Sequence, residues 1–285
     1  CEYLEKFGIE TTYLDVDRYG LIDLEKLKEA IRPETMLISI MFANNEIGTI
    51  QHIEEIGEIA KKNGVLFHVD AVQALGSVRI DVKKQHIDLM SMSAHKISGP
   101  KGVGALYIKK GTKIDNFIHG GGQERGRRAG TEGVQNIVGF GKAVEIAARD
   151  FNNNEKLTAL RNRLIEGIKN NIPDVVLNGH PTQRLPNNVN FSYKYVEGES
   201  ILLLLDMEGI AASSGSACTS GSLDPSHVLL ATGLDHGTAH GSIRFTLSEE
   251  ITEEDIDFVV ETMKKIITKL RAMSPIKNDE DLKKN

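Results

Sequence analysis

The chain places chemically capable side chains at the ends of apolar runs and in glycine-rich loops. Asp70 closes the run Val65-Leu-Phe-His-Val-Asp, and Gln73 follows three residues later. An acid there serves as a turn or helix-capping residue, or as a charge presented at the mouth of a buried strand. Lys96 lies in Ser91-Met-Ser-Ala-His-Lys-Ile-Ser-Gly-Pro, with Ser93 and His95 beside it. The lysine reads as an exposed charge or, hemmed by apolar strands and glycines, as a partly buried amine. Burial lowers a lysine's pKa and makes it a usable nucleophile toward carbonyl groups. Gly120-Gly-Gly-Gln-Glu-Arg-Gly-Arg-Arg-Ala-Gly-Thr131 is a basic glycine-rich loop whose N–H groups and Thr131 could hold phosphate, or a flexible surface loop. Cys218 sits in Ser213-Ser-Gly-Ser-Ala-Cys-Thr-Ser-Gly-Ser, too polar for a core strand. Its composition predicts a solvated loop where a thiolate can attack. Arg244, in Ser242-Ile-Arg-Phe, suits a bidentate grip on a carboxylate or a structural ion pair.

Asp70 and Lys96 stand 26 residues apart on two strand ends. That pairing suits pyridoxal 5′-phosphate, which needs a lysine amine to condense with its aldehyde and an acid to keep its ring nitrogen protonated. Ser-x-x-Lys at Ser93–Lys96 also matches penicillin-recognising acylases, but the companion Ser-Asp-Asn and Lys-Thr-Gly motifs are absent from the sequence. A zinc hydrolase built on His68, Asp70 and His95 lacks a third ligand at suitable spacing, since His68 and Asp70 share one strand face.

The elements that must position these residues follow from periodicity. Short apolar runs at 36–42, 65–69, 87–92 and 103–108 read as strands, alternating with helical spacing over 23–31 and 53–62. This alternation predicts an α/β fold with a mostly parallel sheet, in which function gathers beyond the carboxyl ends of the strands. Helices are predicted over 134–149 and 155–171, separated by a polar break, then strands at 175–177, 188–191, 210–213 and 241–247, with helices at 199–207 and 253–271. The predicted organisation is a large domain over 1–150 and a smaller α+β domain over 151–285 that carries the Cys218 loop.

Composition bounds the function. The 285 residues carry 34 Lys+Arg against 40 Asp+Glu, a net charge of −6 that argues against a general nucleic-acid binder. No apolar run is long enough to span a bilayer. Two cysteines, Cys1 and Cys218, make no disulfide framework and fit a reducing compartment. The chain starts at Cys1 in what reads as the middle or end of a helix, so a preceding segment is expected.

Taken together, Asn44-Asn-Glu-Ile-Gly, His68-Val-Asp-Ala-Val-Gln73, Ser93-Ala-His-Lys96, Gly99-Pro-Lys-Gly-Val-Gly-Ala-Leu-Tyr, the Gly120–Thr131 loop and Ser213–His227 resemble the cysteine desulfurases of the NifS/IscS type. These are class-V aminotransferase-like enzymes of the fold-type-I pyridoxal-phosphate group. The resemblance implies that Lys96 bonds the cofactor and Asp70 pairs with its ring nitrogen. Gln73 and Asn45 would contact the ring oxygen side, Ser93 and His95 the phosphate, and Thr131 the phosphate of a neighbouring subunit. Arg244 and Asn45 would hold the carboxylate of L-cysteine. Cys218 would take its sulfur as a persulfide, release L-alanine, and pass sulfur to an iron–sulfur scaffold or another acceptor protein. No resident metal is implied, although Cys218 would touch a nascent cluster transiently. A cytoplasmic homodimer is implied, without nucleic-acid or membrane partners. The family's earlier phosphate loop and ring-stacking histidine have no counterpart in this sequence, so an N-terminally truncated enzyme is expected. Other fold-type-I activities, a selenocysteine lyase or an aminotransferase, and an inactive partner-binding fragment are the competing readings.

Overall fold

The computed structural model describes residues 1–215 and 225–275. They resolve into two compact units, one of Pro33–Phe42 and His52–Asn152, the other of Cys1–Arg32, Ala43–Gln51 and Asn153 onward.

In the first unit, strands β1 (Leu37–Met41), β2 (Leu66–Asp70), β3 (Leu89–Ser93) and β4 (Gly104–Ile108) form one sheet in that order. The pairs β1–β2 and β2–β3 are parallel, while β4 returns antiparallel to β3. In β2, Phe67 and Val69 are buried while Leu66, His68 and Asp70 are half-buried, so period two puts the polar pair on one face. Parallel neighbours need a crossover, and the helix Ile53–Asn63 supplies the one between β1 and β2. Its buried Ile53, Ile56, Gly57, Ile59 and Ala60 make the apolar stripe. Gly64 ends it with a left-handed φ of 68°, and its N–H donates to the Ala60 and Lys61 carbonyls. Beyond β3, Ala94–Ile97 form a single 3₁₀ turn that carries His95 and Lys96. The helix Val134–Arg149 packs against this turn, and a Cβ on Gly99 would come within 2.9 Å of the Ala94 carbonyl and 3.1 Å of Ala143 Cβ. The turn is thus wedged in place by a close approach only glycine permits.

In the second unit, β5 (Val175–Leu177), β6 (Asn188–Tyr193) and β7 (Ser242–Thr246) form an antiparallel sheet in the order β5-β6-β7. Every residue of β6 is buried, because its neighbours are β5 and β7 and helices pack on the sheet. Helices Asn154–Asn171, Gly198–Met207 and Glu253–Met273 contribute Leu164, Ile168, Ile201, Leu205, Met263 and Ile267 to one core with Phe191 and Ile243. A reciprocal capping box between Thr252 and Asp255 starts the last of these helices.

The chain passes from one unit to the other between Asn152 and Asn153. The first 32 residues and Ala43–Gln51 nevertheless group with the C-terminal part. Main-chain bonds make the second of these attachments: Ile50 N–H donates to Gln183 O at 3.0 Å and Leu185 N–H to Gly48 O at 2.9 Å. The strand expected over 210–213 is reduced to one bridge, Ser213 to Arg244, since Gly215 turns the chain with φ of 47°. Among the described residues, no helix is long and apolar enough to cross a membrane.

Gly57 generates a test of this packing. A Cβ there would stand 2.0 Å from the Gln85 carbonyl. Alanine is worth up to about 1 kcal/mol over glycine within a helix, yet Gly57→Ala is expected to destabilise by about 1–3 kcal/mol through overpacking. A lowered urea midpoint checks this; a raised one contradicts the packing.

Candidate active site

The parallel strands bring several polar residues to one edge of the first unit. Asp70 ends β2 in register with Ser91 of β3, so the acid and the turn bearing Lys96 leave neighbouring parallel strands at their carboxyl ends. Asp70 Oδ1 accepts from Val72 N–H at 3.0 Å, the local turn role open to such a residue, and Oδ2 keeps its acceptor capacity. Lys96 is exposed on the 3₁₀ turn, the first of the two readings its sequence surroundings allow, and not the partly buried amine. Its amine forms no ion pair among the described residues, so it is available for bonding. Ser93 Oγ lies 2.7 Å from His95 Nδ1, and Gln73 is half-buried just past β2.

Behind Asp70, a row of hydrogen bonds crosses three strands. Ser39 Oγ lies 2.7 Å from His68 Nδ1, and His68 Nε2 lies 2.9 Å from Ser91 Oγ. Both ring nitrogens are therefore occupied by hydroxyls, which removes His68 from the set a zinc site would need. Burial pushes the His68 pKa below its ordinary value, and the charge of Asp70 on the same strand face partly opposes this.

Thr131 is exposed at the end of the glycine-rich loop. In this loop Gln123 Oε1 accepts from Gly130 N–H at 3.1 Å, and Glu124 and Arg125 take left-handed φ values of 50° and 59°. The loop is thus a pinned turn rather than an unstructured tether.

In the second unit, Asn45 and Arg244 meet. Arg244 Nη1 donates to the Asn45 carbonyl at 2.8 Å and Nη2 to Ser213 Oγ at 3.0 Å. The turn Asn44–Gly48 is held from several sides. Asn44 Oδ1 accepts from Glu46 N–H and Ile47 N–H at 2.8 and 3.1 Å. Arg184 Nη2 donates to Ile47 O at 3.2 Å, and its Nε to Asn188 O at 3.2 Å. Arg184 is 3% exposed, and burial, with Arg161 nearby, draws its pKa down to about 9. Cys218 lies outside the described residues.

Sequence reasoning missed Glu46, Ser226 and Arg184. Glu46 stands inside the Asn44–Gly48 motif and was legible there as an acid next to a site residue. Arg184 and Ser226 carry no local signal for the partners that tie them to this turn, Ile47 and Glu46, which lie 137 and 180 positions away.

The chain matches the family model for class-V aminotransferases over residues 1–259 and belongs to that family. Within it, the chain groups with the cysteine desulfurases. It is 60% identical over 282 residues to cysteine desulfurase IscS of Clostridium botulinum, covering 98% of this chain and 71% of the relative. A solved NifS-like protein superposes with a TM-score of 0.86 at 39% identity, covering 94% of this chain and 71% of the other. A structure of SspA in complex with cysteine superposes with a TM-score of 0.73 at 36% identity, covering 87% and 69%. Pyridoxal 5′-phosphate is the cofactor of this class. The residues present fit it: a free lysine amine, a carboxylate with acceptor capacity on the adjoining strand end, and a hydroxyl–imidazole pair beside the lysine.

Two measurements test the site's electrostatics and support. On unfolding, His68 regains its ordinary proton affinity, so just below pH 6.5 the unfolded chain holds more protons than the folded one. Stability therefore falls as pH drops through 6.5, and His68→Gln is expected to lose less on acidification; urea midpoints above and below that pH compare the two. Arg184→Ala leaves the buried Ile47 and Asn188 carbonyls without their donor and is expected to cost about 3 kcal/mol, read as a lowered denaturation midpoint.

Proposed function

We propose that the protein removes sulfur from L-cysteine, giving L-alanine and a persulfide on Cys218. Pyridoxal phosphate, when bound, supplies the electron sink that lets bonds at the substrate's α- and β-carbons break. Lys96 Nζ would bond the cofactor's aldehyde carbon, and Asp70 would accept a hydrogen bond from the ring nitrogen and keep it protonated. Gln73 and Asn45 would contact the ring oxygen side. Ser93 and His95 would hold the phosphate, and Thr131 would reach the phosphate bound by a neighbouring subunit of a homodimer.

Arg244 grips the substrate carboxylate, for which its planar fork is suited. Its two bonds to Asn45 O and Ser213 Oγ orient the guanidinium before substrate arrives. The Cys218 thiolate attacks the substrate's sulfur. The new S–S bond forms as the Cβ–S bond breaks; the electron pair of that bond stays on carbon and takes up a proton, so enzyme thiol plus cysteine become enzyme persulfide plus alanine. The outer sulfur then passes to an acceptor protein, an iron–sulfur scaffold being the reading the resemblance favours, in the cytoplasm.

The observation that carries this reading is the pairing of Asp70 and Lys96 on the ends of adjoining parallel strands, in a chain of this kinship. An absorbance spectrum before and after borohydride, with sulfide measured on adding L-cysteine, tests it. Lys96→Ala is expected to lack the borohydride-sensitive band. Cys218→Ala is expected to keep the band and lose sulfide release; release at the unaltered rate would instead identify another fold-type-I activity. Arg244→Lys exchanges the fork for a point charge and is expected to raise KM for L-cysteine about tenfold, equivalent to about 1.4 kcal/mol.

A further inference from the structure

Glu46 is a buried acid for which the chemistry above has no use. It is 2% exposed, and its Oε2 accepts from Ser226 Oγ at 2.5 Å. A carboxylate withdrawn from water is costly unless hydrogen-bonded, so packing alone does not account for one here. Its main chain is fixed as firmly as its side chain: the Glu46 carbonyl accepts from Asn188 Nδ2 at 3.1 Å and Asn190 Nδ2 at 3.0 Å.

Gly215, just before positions 216–224, and Ser226, one residue past Pro225, both lie close to this one carboxylate. Ser226 bonds it directly, while its own Oγ accepts from Val228 N–H at 3.2 Å and caps the short helix His227–Ala231. Gly215 is buried with φ of 47°; a Cβ there would stand 3.4 Å from Glu46 Oε2 and 3.4 Å from Ser226 Cβ. A step earlier, Ser213 N–H donates to Arg244 O at 3.1 Å and Arg244 N–H to Ser213 O at 2.6 Å, and Arg244 in turn donates to the Asn45 carbonyl. The chain on either side of 216–224 is therefore tied to adjacent residues of one turn, Asn45 and Glu46.

We infer that Glu46 is a positioning residue: through Ser226 it fixes the base from which Cys218 is presented, relative to the turn that carries Asn45. The inference rests on the reading of Cys218 as sulfur acceptor. Ser226, which follows the Cys218 segment in the chain, and Arg244, which grips the substrate carboxylate in this reading, then share one anchor, the turn bearing Asn45 and Glu46. Orientation of this kind acts on the transfer step and leaves substrate affinity alone.

The test uses the cofactor-loaded protein with Glu46→Ala, Glu46→Gln, Ser226→Ala and the double alanine variant. First-turnover persulfide on Cys218 is read by peptide mass spectrometry, L-cysteine affinity by absorbance titration. Each single alanine variant is expected to slow persulfide formation about tenfold while affinity stays within about twofold, and the double variant to be no slower than either. Glu46→Gln keeps an acceptor for Ser226 Oγ and is expected to restore the rate to within about threefold. Should Glu46→Ala fail to fold, Ser226→Ala carries the comparison. Unchanged persulfide formation overturns the inference, and so does an equal loss of L-cysteine affinity, which marks a general structural role. A separate readout serves in cofactor-free protein: Cys218 alkylation is expected to run about threefold faster in the alanine variants than in the parent and Glu46→Gln, because an untied base lets the thiol sample more positions. If Cys218→Ala still releases sulfide, the proposed function falls, and the alkylation rate alone decides whether Glu46 positions Cys218: an unchanged rate overturns it.

Discussion

The turn Asn44–Gly48 is a stretch of irregular backbone with buried carbonyls, and buried carbonyls must find donors. They find them far away in the chain. Asn188 and Asn190 of β6 satisfy the carbonyl of Glu46, and Arg184 satisfies that of Ile47. Because these donors are side chains of a fully buried strand and of a buried arginine, the turn inherits the rigidity of the antiparallel sheet's core. Arg244 and Ser226 are then oriented by what the turn offers, a carbonyl at Asn45 and a carboxylate at Glu46. One requirement, that no buried polar group go unpaired, thus propagates from the core to the residues assigned to substrate.

The first unit meets a different constraint. Its sheet has both faces to satisfy, and β2 alternates buried Phe67 and Val69 with His68 and Asp70. The polar face works because serines on the neighbouring strands, Ser39 and Ser91, meet His68 from both sides. An imidazole held between two hydroxyls and partly withdrawn from water resists protonation, so the field around Asp70 is that of a neutral histidine near neutrality. Asp70 thus shares its strand face with an imidazole whose two ring nitrogens each meet a hydroxyl.

Periodicity made most of the framework legible. The four apolar runs before residue 110 are β1 to β4, and the helices over 53–63, 134–149, 154–171 and 253–273 lie where the apolar spacing indicated. Resemblance then implied roles for Asp70, Lys96 and Asn45, which sit inside short motifs, and for Arg244. The exposure of Lys96 was not legible: whether a turn points inward or outward depends on the helix Val134–Arg149 that packs behind it. Nor was the fate of 210–213, where an apolar pair suggested a strand but only Ser213 finds a bridging partner.

What the sequence determined by itself was local: element type, read from the period at which apolar side chains recur, and the kinds of chemistry its motifs contain. Tertiary structure decided what meets what. Arg184 with Ile47, Ser226 with Glu46 and Arg244 with Asn45 are pairs separated by 137, 180 and 199 positions. No local pattern encodes such a pairing. It arises only when folding withdraws polar groups from water and each must be matched by whatever donor or acceptor the packed core brings within reach.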